Sequence, residues 1–99
     1  MIPGTTPTHT FRIPVNAADV AAIRITYDQS QKTVLQKELE DCTVTDGQVV
    51  TKLTQEETLK FKSNVEVRIQ IKVRTVGGDV MVSDIMKVPA YIVLDEEAI

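Results

Sequence analysis

Hydrophobic and polar residues alternate without a slip from Val65 to Thr75, where Val65, Val67, Ile69, Ile71 and Val73 are separated by Glu66, Arg68, Gln70, Lys72 and Arg74. Successive side chains on a strand point to opposite faces, so the pattern predicts a strand with its aliphatic residues in a core and its polar residues in water. The same two-residue period recurs in shorter pieces. Thr8 to Ile13 alternates and stops at Pro14, which confines that strand to an edge or an end. Ile23, Ile25 and Tyr27 define the inward face of a second strand, and Asp28-Gln29-Ser30-Gln31 supplies turn residues before a third with Leu35 and Leu39 inward. Val44 and the run Val49 to Leu53 flank Asp46-Gly47, a pair suited to a type I′ hairpin in which both central residues take positive φ. Gly77-Gly78 permits a tight turn into Val80 to Val88, whose alternation breaks at Ser83-Asp84 as a β-bulge would cause.

Helical signals are confined to single turns. Asn16 is placed to cap one turn over Ala17 to Asp19. Thr54-Gln55-Glu56-Glu57 has the capping-box pattern, a Thr followed three residues later by Glu, and predicts a short crossover leading to Leu59 and Phe61. Residues 1–7 read as an extended N-terminal arm, leaving residues 8–99 as one folded domain. Pro89 separates the apolar piece Tyr91 to Leu94 from the strands before it, and Asp95-Glu96-Glu97 follows. Turn signals near every ten residues and the lack of a long amphipathic helix predict an all-β protein. The expected fold is a single two-sheet antiparallel β-sandwich of about seven strands with one short helical crossover turn.

Composition narrows the functional classes. At 42% hydrophobic and 25% charged the chain matches a globular domain, and its 99 residues allow one core. A formal charge of -3 argues against a dedicated nucleic-acid binder, which engages phosphates through clustered Lys and Arg. No apolar stretch approaches the roughly 20 residues of a membrane-spanning helix, and Met1 to Thr8 has neither the basic nor the apolar part of a secretory signal. Synthesis and folding in the cytoplasm are therefore expected. Cys42 is the single cysteine, so an intrachain disulfide or a Cys-rich zinc site cannot form, and it reads as a small core or half-core residue.

Candidate chemistry is sparse. His9, the only histidine, stands on a Thr-rich edge and reads as solvated or strand-edge. Glu40-Asp41 beside Cys42 raises a thiol pKa and does not activate it. Acids cluster at Glu38-Glu40-Asp41, at Glu56-Glu57 and at Asp95-Glu96-Glu97, yet none has the alternate-position Asp/Asn spacing of a calcium loop. Gly77-Gly78 is followed by an acid and a strand, unlike a phosphate loop. No catalytic, cofactor-binding or metal-binding residue is predicted, no cofactor is expected, and the chain reads as non-enzymatic.

Thr51 to Thr54, the crossover turn, the long strand, Gly77-Gly78 and Val80 to Val88 together resemble the E-F-G end of a fibronectin type III domain, without that family's core Trp or a Tyr opening the long strand. The resemblance implies that the expected sandwich is immunoglobulin-like in the broad sense. Ile2 to Phe11, Glu40-Asp41-Cys42-Thr43, Lys52 to Phe61 and Val76-Gly77-Gly78-Asp79 carry a second likeness, which extends over nearly the full length of the chain. In them the chain is similar to uncharacterised small prophage-encoded proteins of Gram-positive bacteria. The resemblance implies a virion or tail-associated structural or accessory protein that docks onto copies of itself or other virion proteins. Assembly through the termini or edge strands is the expectation that follows. An immunoglobulin or fibronectin-like module that recognises a host-surface ligand is the alternative.

Overall fold

The computed structural model describes residues 1–99. Its strands are β1 (Thr8–Arg12), β2 (Val20–Gln29), β3 (Lys32–Glu38), β4 (Thr43–Thr45), β5 (Gln48–Lys52), β6 (Val67–Thr75), β7 (Val80–Val82) and β8 (Met86–Val88). A single α-helical turn, α1 (Gln55–Thr58), joins β5 to β6, and short 3-10 turns occupy Ala17–Asp19 and Leu39–Asp41. All pairings are antiparallel, in a three-stranded sheet ordered β1-β5-β4 and a second sheet ordered β3-β2-β6 with β7 and β8 both on the far side of β6. The two sheets pack as an immunoglobulin-like sandwich. Their orders correspond to B-E-D and C′-C-F-G, so the A position beside β1 holds no strand. No helix is long and apolar enough to cross a membrane.

The core follows the alternation. Ile23, Ile25 and Tyr27 of β2 meet Val67, Ile69, Ile71 and Val73 of β6, and Phe11, Val49 and Leu53 close over them from the other side. Val65 is only half-buried, because the strand begins two residues later than the sequence pattern does. Leu35 points inward as expected, whereas Leu39 has left the strand for a 3-10 turn and packs at the core margin.

Turn geometry departs from expectation at two places. Gly47 has φ 78° but Asp46 does not take positive φ, so Asp46-Gly47 is not a type I′ turn. Tertiary contacts account for this: Asp46 Oδ1 accepts from the Ala17 N–H at 2.8 Å, and Gly47 exchanges backbone hydrogen bonds with Ile13 and Val15. Asp46 thereby engages the 3-10 turn that Asn16 fails to cap with its own side chain. The doubly positive pair lies instead at Ser30 (φ 52°) and Gln31 (φ 65°), between paired Gln29 and Lys32, so Asp28 and Gln29 belong to β2 and not to the turn.

The break at Ser83-Asp84 is a one-residue slip, since Lys72 faces Val82 while Ile69 faces Met86. Its backbone groups are satisfied locally: Ser83 Oγ accepts the Ile71 N–H at 3.1 Å and the Gln70 amide donates to the Ser83 carbonyl at 2.9 Å. Residues 1–7 form no strand, yet they are docked. The Met1 ammonium donates to the Pro89 carbonyl at 2.6 Å, the Tyr91 N–H donates to the Met1 carbonyl, and buried Thr58 donates through Oγ1 to the Thr5 carbonyl. Ala90 is buried, whereas Tyr91, Ile92 and Leu94 are exposed.

Candidate functional site

Polar side chains occur in two settings, between the sheets and on the outer face of the larger sheet. Between the sheets, His9 of β1 lies with Nδ1 2.8 Å from the Tyr27 hydroxyl of β2, and the two rings are tilted by 32° at 5.6 Å. His9 is a strand-edge residue, as read, but it is half-buried instead of solvated, because it faces the core side of β1. Burial lowers its pKa, and burial likewise raises that of Tyr27, so both side chains are held neutral at pH 7.

Lys37, on the inward row of β3, is buried and places Nζ 2.6 Å from Glu57 Oε1 of α1. The same carboxylate accepts the Thr54 N–H at 2.8 Å and completes the capping box. Burial pushes the Glu57 pKa up, but hydrogen bonds and charge from Lys37 and Thr54 outweigh it and hold the carboxyl below its usual range. Buried Gln29 donates to the Lys62 and Val65 carbonyls and accepts from the Lys62 N–H, fastening the end of β2 to the loop before β6. Cys42 is half-buried, with Sγ donating to the Glu38 carbonyl at 3.3 Å; burial first, then the Asp41 and Glu40 charges, raise its pKa despite Thr51 and Lys37. These groups tie β1, β2, β3 and α1 together, each with its hydrogen bonds internal. No set of three His, Cys, Asp or Glu side chains converges as a metal cluster would.

The outer face of the larger sheet is open to solvent. The Arg68 guanidinium holds both Asp28 oxygens, at 2.8 and 2.6 Å, and keeps that carboxyl below its usual range. Arg24 pairs with Glu38 at 2.8 Å. Between these pairs lies a shallow polar groove of about 260 Å³. Lys72 and Arg74 carry no ion pair and, with Arg24 and Val80, border a second depression of about 200 Å³. Val80 at its border, Ile85 in the first groove and Val82 on the same strand as Val80 expose apolar side chains. The outward row of β6 is thus part of a mixed surface, cationic at Lys72 and Arg74 and apolar beside them.

Sequence reasoning missed Lys37, Gln29 and Thr58 as buried polar residues. A signal existed for Lys37, which shares the inward parity of Leu35, but nothing in the chain order placed Glu57 beside it. The exposed row Val80, Val82 and Ile85 escaped for another reason: pairing opposite Arg74 and Lys72 turns Val80 and Val82 outward, and the slip after them turns Ile85 outward as well. Comparison with protein-family models, with curated proteins and with solved structures gives no match.

Proposed function

We propose that this chain is a non-enzymatic structural or accessory protein of a phage or prophage particle, made in the cytoplasm and carried in the virion, which works by docking onto other protein surfaces. The observation that carries the docking role is the exposure of large apolar side chains at two places on a small, otherwise well-satisfied sandwich. Val80, Val82 and Ile85 line one strand edge, and Tyr91, Ile92 and Leu94 follow it in the chain. Apolar clusters of this kind mark interaction sites on a protein of ordinary charge. The phage setting rests on the likeness of Ile2 to Phe11, Lys52 to Phe61 and Val76 to Asp79 to small prophage-encoded proteins.

The alternative of a host-surface binding module draws on the loops at one end of the sandwich. The segments around Val15, Gly47 and Val76 are joined there by backbone hydrogen bonds, and Val76 is exposed. Mass spectrometry of purified particles from an induced host strain separates the two. Stoichiometric recovery in particles supports the first reading. Recovery only in the unassembled fraction, together with saturable binding to host cells that is lost on Val76→Asp, replaces it with the second.

A further inference from the structure

Four strands have one side unpaired: β1, β3, β4 and the β7–β8 strand. Natural sandwiches protect such edges with short strands, charge or bulges. β1 turns Thr8, Thr10 and Arg12 to solvent, β4 turns out Thr43 and Thr45, and β3 carries the inward charge of Lys37. Only β7 presents exposed large apolar side chains, Val80 and Val82. The hydrogen bonds Thr75 N–H to the Asp79 carbonyl and Ser83 N–H to the Ile71 carbonyl bracket this strand. By antiparallel alternation Met81 then bonds to Val73 of β6, and the N–H and C=O groups of Val80 and Val82 turn to the open edge. Beside that edge stand Lys72 and Arg74, free of ion pairs.

The C-terminal segment has the complementary character. Tyr91-Ile92-Val93-Leu94 is rich in strand-forming residues and belongs to no strand; Ile92 is 63% exposed and Leu94 fully so, while Val93 between them is partly covered. Asp95-Glu96-Glu97 follows directly. The segment is held at the far end of its own sandwich, where Tyr91 bonds Met1 and the Ile99 N–H bonds Gln55. Val88 pairs with Val67 at the start of β6, whereas Val80 pairs with Arg74 near its end. At about 3.3 Å per residue those positions are about 23 Å apart, so the segment lies at the wrong end of the sheet to reach the β7 edge of its own chain.

We propose that the C-terminal segment of one copy adds as an antiparallel strand to the β7 edge of a second copy, with Ile92 and Leu94 beside Val82 and Val80 and the acidic run extending past Val80 toward Arg74. The proposal rests on the docking role above and names the partner as the chain itself. Backbone pairing satisfies the free groups of Val80 and Val82, and alternate side chains meet across the new pair. Donor and acceptor lie on different surfaces, so the contact is head-to-tail and propagates into a ring or an open filament.

Sedimentation equilibrium on the full chain tests this. The expected result is an average mass that grows with concentration beyond a dimer and falls as salt is raised, because the acid–base contacts are screened. Val82→Glu on the acceptor, or Ile92→Asp with Leu94→Asp on the donor, weakens association at least about tenfold. Both sites are exposed, so the melting temperature of each variant stays near that of the parent. Mixing the acceptor variant with the donor variant restores one functional contact and gives a one-to-one complex that grows no further. A parent chain that stays monomeric at all concentrations, variants that associate as tightly as the parent, or a mixture that does not pair each overturns the proposal. None of these alters the particle measurement, on which the docking role is judged separately.

Discussion

Lys37 and Glu57, twenty residues apart in sequence, form an ion pair of 2.6 Å in which the lysine is buried and the glutamate also caps α1. One carboxylate therefore anchors the crossover turn at two points, the Thr54 N–H and the floor of β3. Removing one partner of a buried pair leaves the other charge desolvated without compensation.

Glu57→Ala is accordingly expected to cost on the order of 3 kcal/mol, from the stranded Lys37 ammonium and the lost cap together. Lys37→Met combined with Glu57→Gln removes both charges and is expected to recover most of that loss. Urea unfolding of the three proteins checks the order; a single variant as stable as the parent shows that the pair contributes nothing.

The pH profile of stability has predictable flanks. The Glu57 and Asp28 pKa values are depressed in the folded chain, so their stabilisation is present above the unfolded carboxylate range near pH 4 and is lost as pH falls through the lower native values. The lowered His9 pKa acts in the same direction at higher pH, with stability declining as pH drops below about 6.5, where the unfolded imidazole gains its proton first. The raised Tyr27 pKa works at the other end, because the unfolded phenol ionises near pH 10 while the buried one does not, so stability is lost as pH rises beyond that point. Calorimetric melting from pH 3 to 11 should show a plateau around neutrality, and His9→Gln should flatten the slope between about pH 5 and 7.

Ser83→Ala strands the Ile71 N–H that the Ser83 hydroxyl accepts, and should destabilise by about 1–2 kcal/mol despite removing a half-exposed oxygen. Ser83→Thr keeps the hydroxyl and should cost less. Amide exchange at Ile71 reports the same event locally; unchanged protection in the alanine variant contradicts the assignment.

Ser30 and Gln31 adopt left-handed backbone without the benefit of Gly or Asn. Replacing the pair with Asn-Gly relieves that cost and is expected to raise stability by about 1 kcal/mol, read as a higher urea midpoint with unchanged slope. A lower midpoint contradicts the φ values at this turn.

The core register is tested by contrast within β6. Ile69→Lys buries a charge among Tyr27, Val67 and Ile71 and should cost several kcal/mol, whereas Lys72→Gln on the outer face should stay within about 0.5 kcal/mol.

Local pattern was sufficient wherever one face of a strand is buried, as along Val67 to Val73 and Ile23 to Tyr27, because burial on one side imposes a two-residue period. It was also sufficient at Thr54 and Glu57, where the capping box is closed within four residues. It failed where a distant partner decides the outcome. Asp46 gives its side chain to Ala17, and Gly47 is bonded to Ile13 and Val15, so a pair that would form a type I′ turn in isolation is held in another shape. His9 turned toward Tyr27 and Lys37 toward Glu57 for the same reason. The apolar edge at Val80 and Val82 was visible as composition, but its outward direction is set by pairing with Arg74 and Lys72 of β6.

That slip sets a reading frame for the last strand. In strict alternation from Met81, which faces the core, Ile85 and Lys87 would point inward and Met86 and Val88 outward. The one extra residue at Ser83-Asp84 reverses this, keeping Lys87 in water and sending Met86 and Val88 to the core margin. Deleting Asp84 straightens the strand and leaves those side chains on the sides they now occupy. Deleting one residue within β6 inverts every side chain beyond the cut. The end of the sandwich therefore tolerates a change of length at one position that its centre does not, and the stabilities of the two deletions, compared in urea, measure that difference.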